Sequence, residues 1–232
     1  MEGKTILIVG ASSGIGKSIT EMILAKGAKV ISASRQNPNI SSVEHYTIDV
    51  TSDEIDFSFL PEVLDGVVYA PGSINLKPFH RLKTDEFQQD IQINVLGAIR
   101  VLQASFKALK KSDNPSVVLF STVAAKLGMN FHSSIATAKG AVEGLAKSLA
   151  AEWSMHRIRV NVLSPSLTET PLAERLLAND DKKEASNKRH PIGRFGRPED
   201  LAHMATLLLS DEGSWITGQV IGIDGGVGAL KP

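Results

Sequence analysis

Gly10-Ala11-Ser12-Ser13-Gly14-Ile15-Gly16 follows the apolar run Thr5-Ile6-Leu7-Ile8-Val9 without a break and leads into Ile19, Met22 and Ile23. A short apolar run bounded by glycine reads as a buried strand. The spacing of Ile15, Ile19, Met22 and Ile23 reads as one face of a helix, which Gly27 ends. A glycine-rich turn at such a junction exposes main-chain N–H groups at the positive end of a helix dipole, where phosphate is favoured. Gly10 permits the tight turn. Gly14 and Gly16 remove side chains that would keep a diphosphate from the helix and the helix from the sheet. Ser12 and Ser13 can add hydroxyl contacts. The other reading is a plain strand–turn–helix connection; placement after the first strand of an alternating chain favours nucleotide binding.

Working outward, short apolar runs alternate with helical stretches. Lys29–Ser34, His45–Val50, Gly66–Ala70, Ser116–Phe120, Arg159–Leu163 and Gln219–Ile223 read as further strands, mostly continuous rather than alternating, as in a parallel sheet covered on both faces. Phe87, Ile91, Val95, Ala98, Leu102 and Leu109 predict one long helix with Thr84 as its N-cap. Ile135, Ala138, Val142, Leu145, Leu149 and Trp153 stripe another, and Pro198-Glu199-Asp200 opens one more. Right-handed βαβ units follow, giving an α/β fold: a doubly wound Rossmann-type domain over residues 1–232, its seven-stranded parallel sheet flanked by helices on both faces. No repeat or linker divides the chain. The polar stretch Asn179–His190 reads either as a solvated loop or as a mobile lid.

Composition narrows the function. The 232 residues are 42% hydrophobic and 22% charged, enough for a packed core. Lys+Arg 25 against Asp+Glu 25 leaves no basic excess of the kind nucleic-acid binding uses. With Cys 0, thiolate metal sites, disulfides and cysteine nucleophiles are excluded. Met1-Glu2-Gly3-Lys4 lacks the form of a signal peptide, and no apolar run reaches membrane-span length, so a cytoplasmic setting is expected.

The glycine spacing, Gly-x3-Gly-x-Gly, resembles that of the short-chain dehydrogenase/reductase family, and the likeness runs along nearly the whole chain. Asp49-Val50-Thr51 is similar to the family's adenine-contacting segment. Tyr69-Ala70-Pro71-Gly72 stands where the family has Asn-Asn-Ala-Gly. Asn94 falls at the structural and proton-relay position of the fourth helix. Pro165-Ser166-Leu167-Thr168-Glu169-Thr170 is similar to the segment that contacts the nicotinamide carboxamide, which places Pro165, Thr168 and Thr170 at the cofactor. Gly193 to Asp200 and Ile216 to Gly226 are similar to the family's tail. The resemblance implies a nicotinamide cofactor, a small carbonyl or alcohol substrate, no nucleic-acid or membrane partner, and a homodimer or homotetramer. Small residues such as Gly140, Gly144 and Ala150 would permit close helix approach in such an assembly.

A free ribose 2′-OH is usually held by an acid about 20 residues past the glycine turn. This chain has Ser34-Arg35 there. Arg35 can pair with a 2′-phosphate and Ser34 can donate to it, so NADP(H) is favoured over NAD(H).

The family's reacting groups are a Ser, a Tyr 13 residues later and a Lys four after that. Lys139 matches the Lys, Thr122 the Ser, and the Tyr position falls on Ile135. Thr keeps a donor hydroxyl; Ile has no proton to give. Loss of a positioned general acid slows such chemistry by about 10²–10⁴-fold. His132, Tyr69 and water stand as substitutes, with a solvated loop the plainer role for His132 and packing that for Tyr69. Asn94, Thr122 and Lys139 are thus the candidate catalytic residues. Two readings follow: an NADP(H)-dependent oxidoreductase with an atypical site, or a non-catalytic NADP(H)-binding protein acting as a sensor or oligomer subunit.

Overall fold

The computed structural model describes residues 1–231. Strands β1 (Thr5–Val9), β2 (Lys29–Ser34), β3 (Val43–Thr47), β4 (Gly66–Tyr69), β5 (Ser116–Phe120), β6 (Arg159–Pro165) and β7 (Val220–Ile223) form one sheet. Its order is β3-β2-β1-β4-β5-β6-β7, and every neighbouring pair is parallel. The helices are α1 (Gly14–Ala25), α2 (Thr84–Ile91), α3 (Gly97–Leu109), α4 (Ser133–Glu152), α5 (Asp180–Arg189) and α6 (Pro198–Leu209).

Each face of the sheet carries its own core. Leu7 and Val9 of β1 point to the side of α3 and α4, where Leu102, Leu109, Val142 and Ala146 pack. Ile6 and Ile8 point to the other side, against Ile19 and Ile23 of α1 and Leu201, Ala205 and Leu208 of α6. With both faces covered, a strand must be apolar at successive positions, which is why β1, β4 and β5 read as unbroken apolar runs. The chain winds one way from β1 to β3 and the other way from β4 to β7. The C-terminal ends of β1 and β4 therefore diverge, leaving the crevice at which such sheets bind ligands.

Three segments differ from expectation. β3 lies two to three residues earlier than His45–Val50, because Asp49 folds into a turn, its carboxylate accepting from the Thr51 amide at 2.9 Å. The long helix is interrupted by a π segment, Gln92–Leu96, and begins with Lys83 rather than Thr84 as N-cap; the Glu86 carboxylate accepts the Lys83 amide at 3.0 Å. The loop reading of Asn179–His190 is corrected: the segment forms the helix α5. Asn179 caps it, accepting from the Lys182 amide at 3.0 Å. Asp180 and Asp181 in its first turn and Lys188 and Arg189 in its last complement the dipole. No helix among the described residues is long and apolar enough to cross a membrane.

Candidate functional site

Two adjoining cavities open at the C-terminal ends of the central strands. The first, of about 620 Å³, is bounded by the turn Gly10–Gly16, by Ser34 and Arg35 after β2, by Asp49 and Val50, by Ala70-Pro71-Gly72 after β4, and by Thr170. Fourteen residues expected at a cofactor thus lie around one crevice. Ile93, Gln36, Pro171 and Leu172 join them without having been marked in the sequence. Pro165, Thr168 and Lys139 line instead the second cavity, of about 590 Å³, together with Thr122, Ile135 and His132. Ile15, Ala70, Gly72, Thr170 and Leu172 border both, so the two are continuous.

The crevice floor is made by absent side chains. A Cβ on Gly16 would lie 2.2 Å from the Gly10 carbonyl oxygen, and one on Gly10 would lie 3.1 Å from the Pro71 nitrogen. Gly10 and Gly14 hold φ of +86° and +53°, the left-handed region where side chains are strained. These close approaches bring the α1 N-terminus against the ends of β1 and β4. Above it, Arg35 is exposed and its charge helps hold the Asp49 carboxyl below the usual range, after the larger effect of the Thr51 hydrogen bonds. Ser34 borders the same crevice, and its hydroxyl donates to the Gln36 carbonyl at 2.9 Å, the short-range bond serine makes in turns.

The second cavity is made by side chains. Lys139 is 7% exposed and its ammonium donates to the Phe120 carbonyl at 2.9 Å. Burial pushes its pKa down to about 8 against the opposing pull of the Asp90 charge. Asp90, 2% exposed, accepts from the hydroxyls of Ser73 and Ser134 at 2.5 Å each. Asn94 sits in the π segment, lining neither cavity. Its amide nitrogen donates to the Asp90 carbonyl at 2.8 Å, the very group that a regular helix offers to the main-chain N–H of residue 94, and to Ser73 at 2.9 Å. Its Oδ1 is buried without a partner. A Cβ on Gly72 would lie 3.5 Å from that oxygen and 3.7 Å from Lys139 Nζ, so both polar atoms converge beside Gly72. Asp90 was unmarked in the sequence, although its place four residues before Asn94 puts it on the same helix face.

Thr122 caps a short turn and is partly exposed, its Oγ1 accepting from the Ala124 amide at 3.4 Å. Ser121 beside it also borders the cavity, and its hydroxyl donates to the buried Glu143 at 2.7 Å. Ile135 is buried at the first turn of α4 with its side chain toward the cavity. Tyr69 is packed within the core, its hydroxyl donating to the Ile93 carbonyl and its pKa raised by burial. His132 borders the cavity with its Nδ1 hydrogen-bonded to the Asn130 carbonyl at 2.6 Å. The outer wall comes from the segment Pro171–Leu176 and from α5, through Leu172, Ala173, Leu176, Ser186 and Arg189.

A nicotinamide dinucleotide fits this arrangement. The glycine cradle, which any Cβ would fill, suits a diphosphate, and the remaining Lys139 N–H groups suit polar ligand atoms in the adjoining cavity. Among the described residues no group of three His, Cys, Asp or Glu is placed to hold a metal ion.

Comparison with known proteins agrees with the geometry. A family model described as enoyl-(acyl carrier protein) reductase matches residues 10–228. The 3-oxoacyl-(acyl-carrier-protein) reductase of Thermotoga maritima is 35% identical over 248 residues, covering 98% of each chain. The ligand-free aldohexose dehydrogenase of Thermoplasma acidophilum superposes with a TM-score of 0.90 at 29% identity, over 100% of this chain and 96% of that one. ElxO with NADP bound does so with a TM-score of 0.88 at 25% identity, over 99% and 100%. Glycine turn, parallel sheet and near-complete coverage by oxidoreductases concur: the chain belongs to the short-chain dehydrogenase/reductase family.

Proposed function

We propose that this protein is an NADP(H)-dependent oxidoreductase acting on a carbonyl/alcohol pair, with Ile135 standing where the family places its tyrosine. The observation that carries this reading is the continuity of the glycine crevice with the cavity holding Thr122 and Lys139. A nicotinamide cofactor held there supplies hydride to a carbonyl carbon, or takes it from an alcohol. Gly10 to Gly16 would hold the diphosphate with main-chain N–H groups, and Asp49 and Val50 would flank the adenine. Lys139 would reach the ribose hydroxyls. Thr122 would donate to the carbonyl oxygen, orienting the substrate between Ile135 and the Pro165–Thr170 strand end.

Arg35 supports the phosphorylated cofactor. It borders the crevice, exposed and beyond the end of β2, where no carboxylate occupies the expected ribose-binding position. A charge-assisted hydrogen bond to phosphate is worth about 1.5–3 kcal/mol, or roughly 10–100-fold in affinity. Arg35→Ala should therefore weaken NADPH binding by about that factor and leave NADH binding within about threefold. Equal loss for both cofactors would refute the preference.

Turnover is tested by NADPH oxidation against a panel of ketones, aldehydes and quinones. The apolar Ile135 in the cavity wall keeps a second reading in view, a non-catalytic NADP(H)-binding protein. NADPH binding without turnover on any of these carbonyls, combined with turnover by Ile135→Tyr, would select it. Assembly as a homodimer or homotetramer is part of the proposal. Gly140 and Gly144 leave open space along α4, and light scattering would read the oligomeric state.

A further inference from the structure

His190 is 3% exposed and lies directly after α5. Its Nδ1 is 2.7 Å from the Ser186 carbonyl oxygen, and its Nε2 is 3.0 Å from Ser166 Oγ. A carbonyl only accepts, so Nδ1 carries the proton. In the neutral ring Nε2 is then bare and accepts from the Ser166 hydroxyl. Ser166 follows β6 and borders both the cavity that holds Thr122, Ile135 and Lys139 and an outer cavity that His190 also lines. A hydroxyl facing a substrate cavity, backed by an imidazole whose tautomer is set by a main-chain carbonyl, is an acid–base pair.

The geometry points to Ser166 and His190 as the proton-transfer pair of the reaction, Ser166 touching the substrate oxygen and His190 acting through it. This rests on the oxidoreductase reading above. In alcohol oxidation the substrate O–H breaks and its proton forms a bond to Ser166 Oγ, as the Oγ proton passes to His190 Nε2. The carbon meanwhile gives up hydride to the oxidised nicotinamide. The ring becomes an imidazolium and releases one proton to solvent after the carbonyl product leaves. Carbonyl reduction is the same path reversed, with His190 as the proton source and reduced nicotinamide as the hydride source.

The carbonyl of Ser186 is one of the last four of α5, which have no partner within the helix, and so it is free to accept from the ring. The charged and titratable groups around the ring are Arg189, preceding it, and Arg194, Asp200, His203 and Asp224, which line the outer cavity.

The test compares the full-length protein with Ser166→Ala, Ser166→Thr and Ser166→Ala/Ile135→Tyr, reading NADPH affinity and turnover. The expected results are a loss of about 100-fold in kcat for Ser166→Ala, with NADPH affinity unchanged, most of the rate kept by Ser166→Thr, and recovery in the double variant. A second readout needs neither cofactor nor turnover: the ¹⁵N resonances of the His190 ring. They should show the proton on Nδ1 in the neutral form, with the Nε2 resonance displaced in Ser166→Ala. Turnover retained by Ser166→Ala, or a neutral ring protonated on Nε2, would overturn the pair while leaving the oxidoreductase reading intact. A parent protein that binds NADPH but reduces none of the panel carbonyls would overturn both.

Discussion

The glycine crevice and the cavity adjoining it are neighbours built from different materials. The crevice is main chain: φ values of +86° and +53°, a helix N-terminus, and a Gly16 so placed that a Cβ on it would fall 2.2 Å from the Gly10 carbonyl oxygen. The cavity is side chain: a buried lysine and an isoleucine in the wall, backed by a buried aspartate that lies outside the cavity and holds two serines. Main-chain geometry accepts almost no substitution, because nothing can rotate out of the way. A side-chain site can change its chemistry one residue at a time without disturbing the fold.

The sharpest way to break the comparison is Gly16→Ala. The added carbon would meet the Gly10 carbonyl oxygen at 2.2 Å and its carbon at 2.9 Å, both backbone atoms in a turn already pinned by β1 and β4. Overpacking against backbone with no rotamer escape should destabilise the protein by more than about 3 kcal/mol and abolish NADPH binding. Denaturant midpoint and a fluorescence titration measure the two effects. If both survive, the crevice is not shaped by its glycines.

Asp90→Ala probes the other half. It leaves the Ser73 and Ser134 hydroxyls without their acceptor and removes the anion beside Lys139. A buried donor left unpaired costs about 1–3 kcal/mol, so a net loss of about 2 kcal/mol is expected. NADPH affinity should change by less than about tenfold, since Asp90 borders neither cavity. Collapse of cofactor binding in this variant would show that the two regions are not separable.

The same contrast decides what the sequence made legible. Strands buried on both faces announce themselves as apolar runs, and β1, β2 and β5 fall on their expected limits. The glycine turn is equally plain, since positive φ and close approach leave few other residues possible. α5 is hidden because it has no apolar stripe; caps, end charges and the Lys188–Glu184 pair hold it instead. The π segment is hidden because one side-chain hydrogen bond from Asn94 to the Asp90 carbonyl accompanies it, and periodicity does not register single bonds. Asp90 and His190 escape notice for a related reason. Each matters through what it faces across the fold, Ser134 in one case and Ser166 in the other, and spacing along the chain does not show that.

The smallest expected effect concerns the wall behind His190. The two Asp200 oxygens accept from Arg194 at 2.6 and 2.8 Å, and one also accepts the Arg197 amide at 2.8 Å at the start of α6. The Arg194 hydrogen bonds are the main reason its pKa is pushed down to about 2, opposed by partial burial. A carboxyl whose folded pKa lies below its unfolded value stabilises the protein fully above the unfolded pKa, near 4, and loses that contribution as pH falls toward 2. The pair is part-exposed, with side chains 43% and 31% accessible, so solvent screening leaves about 1 kcal/mol at neutral pH. Asp200→Asn should therefore lower stability by about that much at pH 7, and the gap to the parent should close between pH 4 and 2. A gap that persists at pH 2 would assign the loss to the helix cap, which asparagine fills less well, and not to the ionised pair. The turn leading into α6 would then be secured by main-chain geometry, as the glycine crevice is, and the division between the two regions would lie within the adjoining cavity alone.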